Sequence, residues 1–314
     1  MTRRVLVAAA AMVMAACSRA PGAVDGEPTP RRGLAAEVAS YELVAGQENR
    51  LIVGLLTEEN RLLVGGGVEF RFTFLGEEGA SGREPVGGSV TAVFLPLPGQ
   101  EGVRFPGRPT VVSPAEARGV YRAEGVTFDR PGFYEVEVRA ALGGDDARTA
   151  TAAFQVVPQP AYPAPGDPAP RTENLTLGSD APPGAIDSRA ALEGEIPDRG
   201  LHRTTIAEAI RRGRPALVVF ATPVYCVSQF CGPVTDMVAG LAADYRGVAE
   251  FIHVEIWRDF QEQVVNRAAA DWLFRNENLT EPWVFLIGPD GRILARWDNV
   301  ATREEIEPWL ERLR

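Results

Sequence analysis

Six prolines fall within thirteen residues, at positions 158, 160, 163, 165, 168 and 170. Proline fixes φ and has no amide hydrogen to donate, so neither a helix nor an internal sheet strand runs through such a stretch. The segment 158–174 is therefore read as a stiff, extended linker. It separates two parts of the chain with different residue patterns, and the 314 residues are enough for two domains.

Before the linker, residues 37–157 alternate apolar and polar side chains in short runs such as Leu51-Ile-Val-Gly-Leu-Leu56, Val68-Glu-Phe-Arg-Phe-Thr-Phe74 and Phe133-Tyr-Glu-Val-Glu-Val-Arg139. Turn residues at Gly65-Gly-Gly67, Gly87-Gly88, Pro131-Gly132 and Gly143-Gly144 separate the runs. Period-two alternation without a long 3.6-residue period predicts an antiparallel β-sandwich of about seven strands. The stretch from Gly119-Val-Tyr121 through Pro131-Gly132 to Val138 resembles the last hairpin of immunoglobulin-like domains in bacterial envelope proteins. This part contains no cysteine and no histidine. No catalysis is assigned to it, and a spacer or docking role is expected.

At the N-terminus, Arg3 and Arg4 precede an apolar run from Val5 to Met14 that is too short to span a bilayer. The sequence Met14-Ala-Ala-Cys17 resembles the lipobox of bacterial lipoproteins, and that resemblance implies a signal peptide over 1–16 and lipidation of Cys17. An ordinary signal peptide cut nearby is the alternative. Residues 17–36 read as a flexible tether. No other apolar run reaches the ~18 residues of a membrane helix, so the expected location is extracytoplasmic, with membrane attachment through the N-terminal lipid. The formal charge is −10, and removing residues 1–16 takes away two arginines and no acid, leaving −12. That balance argues against a nucleic-acid partner. The absence of lysine excludes Schiff-base chemistry and a P-loop.

After the linker, residues 175–314 read as alternating helices and strands. Expected are a short helix over 204–212, strand 216–220, a helix ending near Tyr245, strand 251–256, a helix within 261–274, strands 283–287 and 293–297 around the turn Pro289-Asp-Gly-Arg292, and a closing helix over 302–313. The segment Phe220-Ala-Thr-Pro-Val-Tyr-Cys226 through Cys231-Gly-Pro233 places two cysteines, spaced C-x4-C, where the first strand feeds a helix. With Cys17 set aside, they are the two remaining thiols in an oxidising compartment, which predicts a disulfide between them. Helical residues five apart are about 8 Å apart along the axis, beyond the ~7 Å Cα limit of a disulfide. Either Cys226 precedes the helix, or the first turn must unravel when the bond forms.

The order of elements, the Cys-Gly-Pro, the Glu281-Pro282 before a strand and the Gly166-Asp-Pro-Ala-Pro170 lead-in resemble the thioredoxin-like superfamily. The resemblance implies an α/β thioredoxin-like fold for the C-terminal part, Cys226 and Cys231 as catalytic, Pro282 as a cis proline, and Glu281 as a backbone partner for an extended substrate. Trp283, next to that proline, is allowed a substrate contact. The chain departs from the family's C-x2-C: Val234 stands where the second cysteine would be. The same spacing is similar to one peroxiredoxin subfamily, but Thr222 lies four residues before Cys226 rather than three, and no arginine partner is evident. Copper-delivering relatives would need a histidine with the pair, and His202 and His253 read as packed residues; no metal and no cofactor is assigned. The expected function is thiol–disulfide exchange with protein or small-molecule thiols and disulfides of the cell envelope. The alternatives are a non-catalytic binding or sensor protein with a structural disulfide, and a thiol peroxidase. Which cysteine attacks first stays open at this point.

Overall fold

In the computed structural model, which describes residues 33–314 apart from 80, 81, 101, 144, 145, 227, 229 and 276, the alternating segments before the prolines form nine strands. They are β1 (Leu34–Val38), β2 (Glu48–Thr57), β3 (Leu62–Val64), β4 (Gly67–Gly76), β5 (Glu84–Pro96), β6 (Thr110–Val112), β7 (Gly119–Thr127), β8 (Gly132–Gly143) and β9 (Asp146–Val156). The signal segment and Cys17 lie outside the described residues. Alternation sets which side chains face in. Val68, Phe70, Phe72 and Phe74 of β4 and Tyr134, Val136 and Val138 of β8 are buried, while Arg71, Glu137 and Arg139 between them face water. Burying each such large apolar side chain is worth about 1.5–3 kcal/mol.

All nine strands belong to one hydrogen-bonded antiparallel sheet, in the order β6-β3-β2-β7-β5-β4-β8-β9, with β1 on β2. The sheet curls until β1 lies against β9. Just past those strands, Val44 and Val157 form a parallel bridge, with Ala45 N–H donating to Val157 O (2.9 Å) and Val157 N–H to Leu43 O (2.8 Å). The expected immunoglobulin-like sandwich of two sheets is thereby corrected to one continuous sheet rolled around one core. β7 is the reason: it pairs with both β2 and β5 and joins what would have been separate sheets.

The rest of the chain holds α1 (Pro183–Ile186), α2 (Ala190–Glu193), a 3-10 turn (Arg199–His202), α3 (Ile206–Arg211), β10 (Ala216–Phe220), α4 (Cys231–Asp244), β11 (Glu250–Val254), β12 (Trp257–Asp259), β13 (Val264–Val265), α5 (Arg267–Leu273), β14 (Phe274–Arg275), β15 (Asn278–Leu279), β16 (Trp283–Ile287), β17 (Ile293–Asp298) and α6 (Arg303–Arg312). The expected α/β thioredoxin-like C-terminal domain is also corrected. The molecule is mostly β, dominated by the nine-stranded antiparallel sheet. The helix expected within 261–274 is present as α5, and the residues before it, 257–265, make the β12–β13 hairpin, where Trp257, Val264 and Val265 suit a paired strand. α1 and α2 run for four residues each, α1 starting after Pro182 and ending at the extended Asp187, and α2 ending at the left-handed Gly194.

A small sheet, β11-β10-β16-β17, positions the site, with one parallel pair (β10–β11) and two antiparallel pairs. β10 and β16 are buried at every residue, as their unbroken apolar runs require. The Pro289-Asp-Gly turn joins β16 to β17, with Gly291 at φ 77°, where a Cβ would be strained.

The proline segment docks on this sheet instead of running free. Gly166 N–H donates to Ile293 O and Ile293 N–H to Asp167 O, both at 2.9 Å. The two halves are further clamped by ion pairs. Glu305 of α6 meets Arg50 (2.7 Å) and Arg122 (2.8 Å), and Arg296 of β17 meets Glu42 (2.6 Å). Residues 32–314 form one compact unit.

Candidate functional site

The register of β10 on β16 pairs Phe220 with Trp283. Two residues beyond Phe220 and two before Trp283, the chain therefore brings Thr222 beside Glu281, and the Thr222 amide donates to Glu281 Oε2 at 2.6 Å. The Glu281–Pro282 peptide bond is cis. From the rolled sheet, the Tyr41 hydroxyl donates to the Glu281 carbonyl oxygen.

Between β10 and α4 the loop carries Cys226, and Cys231 is the first residue of α4. The two cysteines are joined in a disulfide, with Cα atoms 6.1 Å apart. Of the two arrangements the spacing allowed, Cys226 adopts the first and precedes the helix. The two sulfurs sit in unlike surroundings. Cys231 is fully buried, while Cys226 is half-buried and lines a cleft. The Ser228 hydroxyl lies 3.2 Å from Cys226 Sγ. α4 runs for 14 residues with no side-chain cap and no acid in its first turn. Its amide hydrogens and the positive end of its dipole are thus left to act on Cys231, where they favour a thiolate.

Glu281 Oε2 lies 3.5 Å from Cys231 Sγ. Burial pushes the Glu281 carboxyl up to about 8; the Thr222 amide bond opposes this and the nearby Glu255 charge adds to it. Glu255, just past β11, is buried and also pushed up by burial, and it accepts from Ser188 N–H at 2.7 Å and Ile256 N–H at 2.9 Å. The Ser188 hydroxyl ties this layer to the cysteine loop, accepting from Val224 N–H (3.2 Å) and lying 3.4 Å from Thr222 Oγ1. Thr222 is therefore bonded to Glu281 through its amide and lies beside Ser188 through its hydroxyl.

Deeper still, Asp187 gathers both histidines. His202 Nε2 is 3.3 Å and His253 Nδ1 3.4 Å from Asp187 Oδ2, all three residues fully buried. Burial alone would raise the Asp187 carboxyl, but bonds from His202, His253 and Arg189 outweigh it and hold the carboxyl well below the usual range. Burial disfavours charge on His253 as well, and Asp187 overrides it. His253 Nε2 also lies 2.9 Å from Ala221 O, while its Nδ1 faces Asp187 without a hydrogen bond. Burial lowers His202, which stays neutral with Nδ1 unpartnered. Asp187, His202 and His253 are metal-ligating residue types, yet the Arg189 guanidinium already grips both Asp187 oxygens, at 3.0 and 2.8 Å. A histidine–cysteine copper set is not assembled: the histidines gather on Asp187 and the cysteines on Glu281.

The cleft, of about 1060 Å³, is mainly apolar and lies between the rolled sheet and the cysteine loop. Val38 and Leu56 line one side, and Tyr225, Cys226, Trp257 and Phe260 the other. Tyr225 and Phe260 stack face to face at 4.0 Å. Glu281 also opens onto this cleft. Two assignments from sequence change here. The Glu281 carbonyl is already taken by Tyr41, and Trp283 is 1% exposed, covered by Tyr41 and Tyr162 with its indole N–H on Thr280 Oγ1 at 3.0 Å. Trp283 is therefore a packing residue, because Tyr162 of the docked proline segment and Tyr41, beyond β1, cover the face it would have offered.

Comparison with known proteins gives no match: no protein-family model fits the chain, and no curated protein aligns with it. Sequence reasoning missed the Glu281 carboxyl, Glu255, Asp187 and Tyr41. One signal was present: His253 and Glu255 interrupt the otherwise apolar run Phe251–Ile256, and polar groups in a buried strand need partners.

Proposed function

We propose that this protein is a thiol–disulfide oxidoreductase working through Cys226 and Cys231, lipid-anchored at Cys17 outside the cytoplasmic membrane. The observation that carries the reading is the inequality of the two sulfurs: one open to a cleft, the other buried at a helix N-terminus. A disulfide that only staples a fold needs no access, and a loop this short restrains the unfolded chain less than a long one does. Exchange needs one sulfur that a partner thiolate can reach and a second held ready to displace it. Cys226 is the reachable sulfur and Cys231 the resolving one. The breadth and aromatic lining of the cleft suit a peptide segment flanking a cysteine, in keeping with protein thiols and disulfides of the cell envelope as partners.

Cys226→Ser and Cys231→Ser should each abolish disulfide reduction of an insulin-type substrate while costing little thermal stability. If both instead lose about 2–5 kcal/mol, the range of a lost structural disulfide, and the wild type exchanges no thiols, a stapled binding protein replaces the enzyme. The anchor is tested separately. Mass spectrometry of the membrane-extracted protein should find a diacylglyceryl-type mass on an N-terminal Cys17, and an unmodified N-terminus removes that part of the proposal. Among the described residues no helix is long and apolar enough to cross a membrane.

A further inference from the structure

Three elements that are distant in sequence bring metal-ligating side chains to one point. Asp187 follows α1, His202 closes the 3-10 turn and His253 lies in β11, and all three are fully buried. His202 Nε2 and His253 Nδ1 converge on a single atom, Asp187 Oδ2, from 3.3 and 3.4 Å. The rings meet edge to face, with centroids 5.2 Å apart. Among the described residues, neither histidine Nδ1 has a hydrogen-bond partner. Buried polar atoms are seldom left so, and a bound ion is one of the few things that accounts for it. His253 makes the point most clearly. Its Nε2 proton belongs on Ala221 O at 2.9 Å, which turns the Nδ1 lone pair toward a carboxylate oxygen. Two acceptors facing each other in a dry place repel unless a cation lies between them. A shared proton would draw them to the ~2.7–2.9 Å of a charged hydrogen bond. Two ligands on one tetrahedral zinc, with bonds of about 2.0–2.2 Å, sit about 3.3–3.4 Å apart, and that is the spacing here.

We infer that Asp187, His202 and His253 bind a zinc ion, at a site separate from the cysteines and independent of the thiol–disulfide reading. Two imidazole nitrogens and one carboxylate oxygen are donors that zinc accepts, whereas calcium and magnesium take oxygen. The groups behind the ligands are those a zinc site uses. His253 donates its other ring N–H to a backbone carbonyl, which fixes the tautomer and leaves Nδ1 free to ligate. Arg189 holds the carboxylate in place, with Nε on Oδ1 at 3.0 Å and a terminal nitrogen on Oδ2 at 2.8 Å. Each carboxylate oxygen has two lone pairs, so Oδ2 keeps one for the ion.

The charge around the site suits a dication. Arg189 is matched by Asp198 at 2.9 Å and Asp236 at 3.1 Å as well as by Asp187, and Glu255 acts on His253 from two residues along the chain. Four carboxyl groups thus surround one guanidinium. With three protein ligands, the fourth position of a tetrahedral ion falls to water. Full burial leaves no route for a substrate, so the ion holds structure and does not catalyse. What it holds is the approach to Cys226. Ala221, which receives His253, ends β10, and Ser188, next to Asp187, accepts from Val224 N–H at 3.2 Å. Because the ligands are covered, the ion enters as the chain folds.

The test uses full-length protein without a histidine tag, produced in zinc-supplemented medium. It is kept oxidised, so that Cys226 and Cys231 stay joined and cannot bind metal, and passed through a weak chelator. Elemental analysis should find close to one zinc per wild-type chain. His202→Gln and His253→Gln should each retain less than about a tenth of that, since losing even a group behind a ligand costs about 10- to 100-fold in metal affinity. X-ray absorption at the zinc edge of the wild type should show nitrogen and oxygen neighbours and no sulfur. Wild-type protein free of zinc overturns the inference, and so does zinc that survives in a folded histidine variant. If neither variant folds, sulfur in the wild-type zinc spectrum overturns it instead. None of these failures touches the exchange reading, which the cysteine variants test.

Discussion

Glu281 shows what burial does to the titration of one side chain. A glutamic acid in an unfolded chain titrates near 4.3, whereas burial in the fold pushes this carboxyl up to about 8. The folded state therefore binds its proton more tightly. The stability this contributes is complete below about pH 4, declines as pH rises through the window between the two values, and is gone above about 8. At about 1.4 kcal/mol per pKa unit, the decline amounts to several kcal/mol. Urea unfolding of the oxidised protein between pH 5 and 9 should show that slope, and Glu281→Gln should flatten it; an identical slope in the variant would contradict the buried-acid account. Asp187 works in the opposite sense, since its carboxyl is held low by the histidines and Arg189, and its contribution is lost only in acid. At this scale the sequence announced the cysteines and Pro282, whose chemistry is tied to residue type. It did not announce that the Glu281 side chain lies against Cys231, because that depends on which strand lies opposite.

Elements were legible where local pattern and burial agree. The unbroken apolar run of β10 and the Pro289-Asp-Gly turn predict a buried strand and an antiparallel pair, and both are present. The closing helix follows from Thr302 and Glu305, which form a capping box at the start of α6. Legibility fails where a partner decides. Nothing local in β7 says that it pairs on both sides, so the sequence reads equally well as two sheets or one. The helix expected within 261–274 is present as α5, but nothing local sets its start: the pairing of Trp257 with Val265 ties the residues before it into a hairpin. The proline segment reads as a stiff, extended linker, and its docking on β17 arises from backbone groups that every sequence has.

At the scale of the whole molecule, the clamps between the rolled sheet and the smaller one predict coupled unfolding rather than two separate events. Glu305 is the centre of this coupling. Its side chain is 6% exposed, it receives Arg50 and Arg122 from β2 and β7, and these cations outweigh burial in keeping it ionised. Removing one member of such a buried group strands the others, at a cost of about 3–5 kcal/mol. Calorimetry of the intact protein should therefore give one transition, and Glu305→Ala should lower it or split it in two. Two wild-type transitions matching the separately expressed halves 37–157 and 175–314 would show instead that the proline segment insulates them.

The Tyr41 hydroxyl on the Glu281 carbonyl joins residues from opposite ends of the chain, and this sets an order in time. Synthesis proceeds from the N-terminus, so Tyr41 is made first, the two cysteines later, and Glu281 after them. Until the last segment arrives, a growing chain carries two thiols with no acid beside them and one wall of the cleft with no floor. The surroundings of the cysteine pair are thus complete only once β16 has followed, and a chain cut short before it would display two thiols without Glu281 beside them.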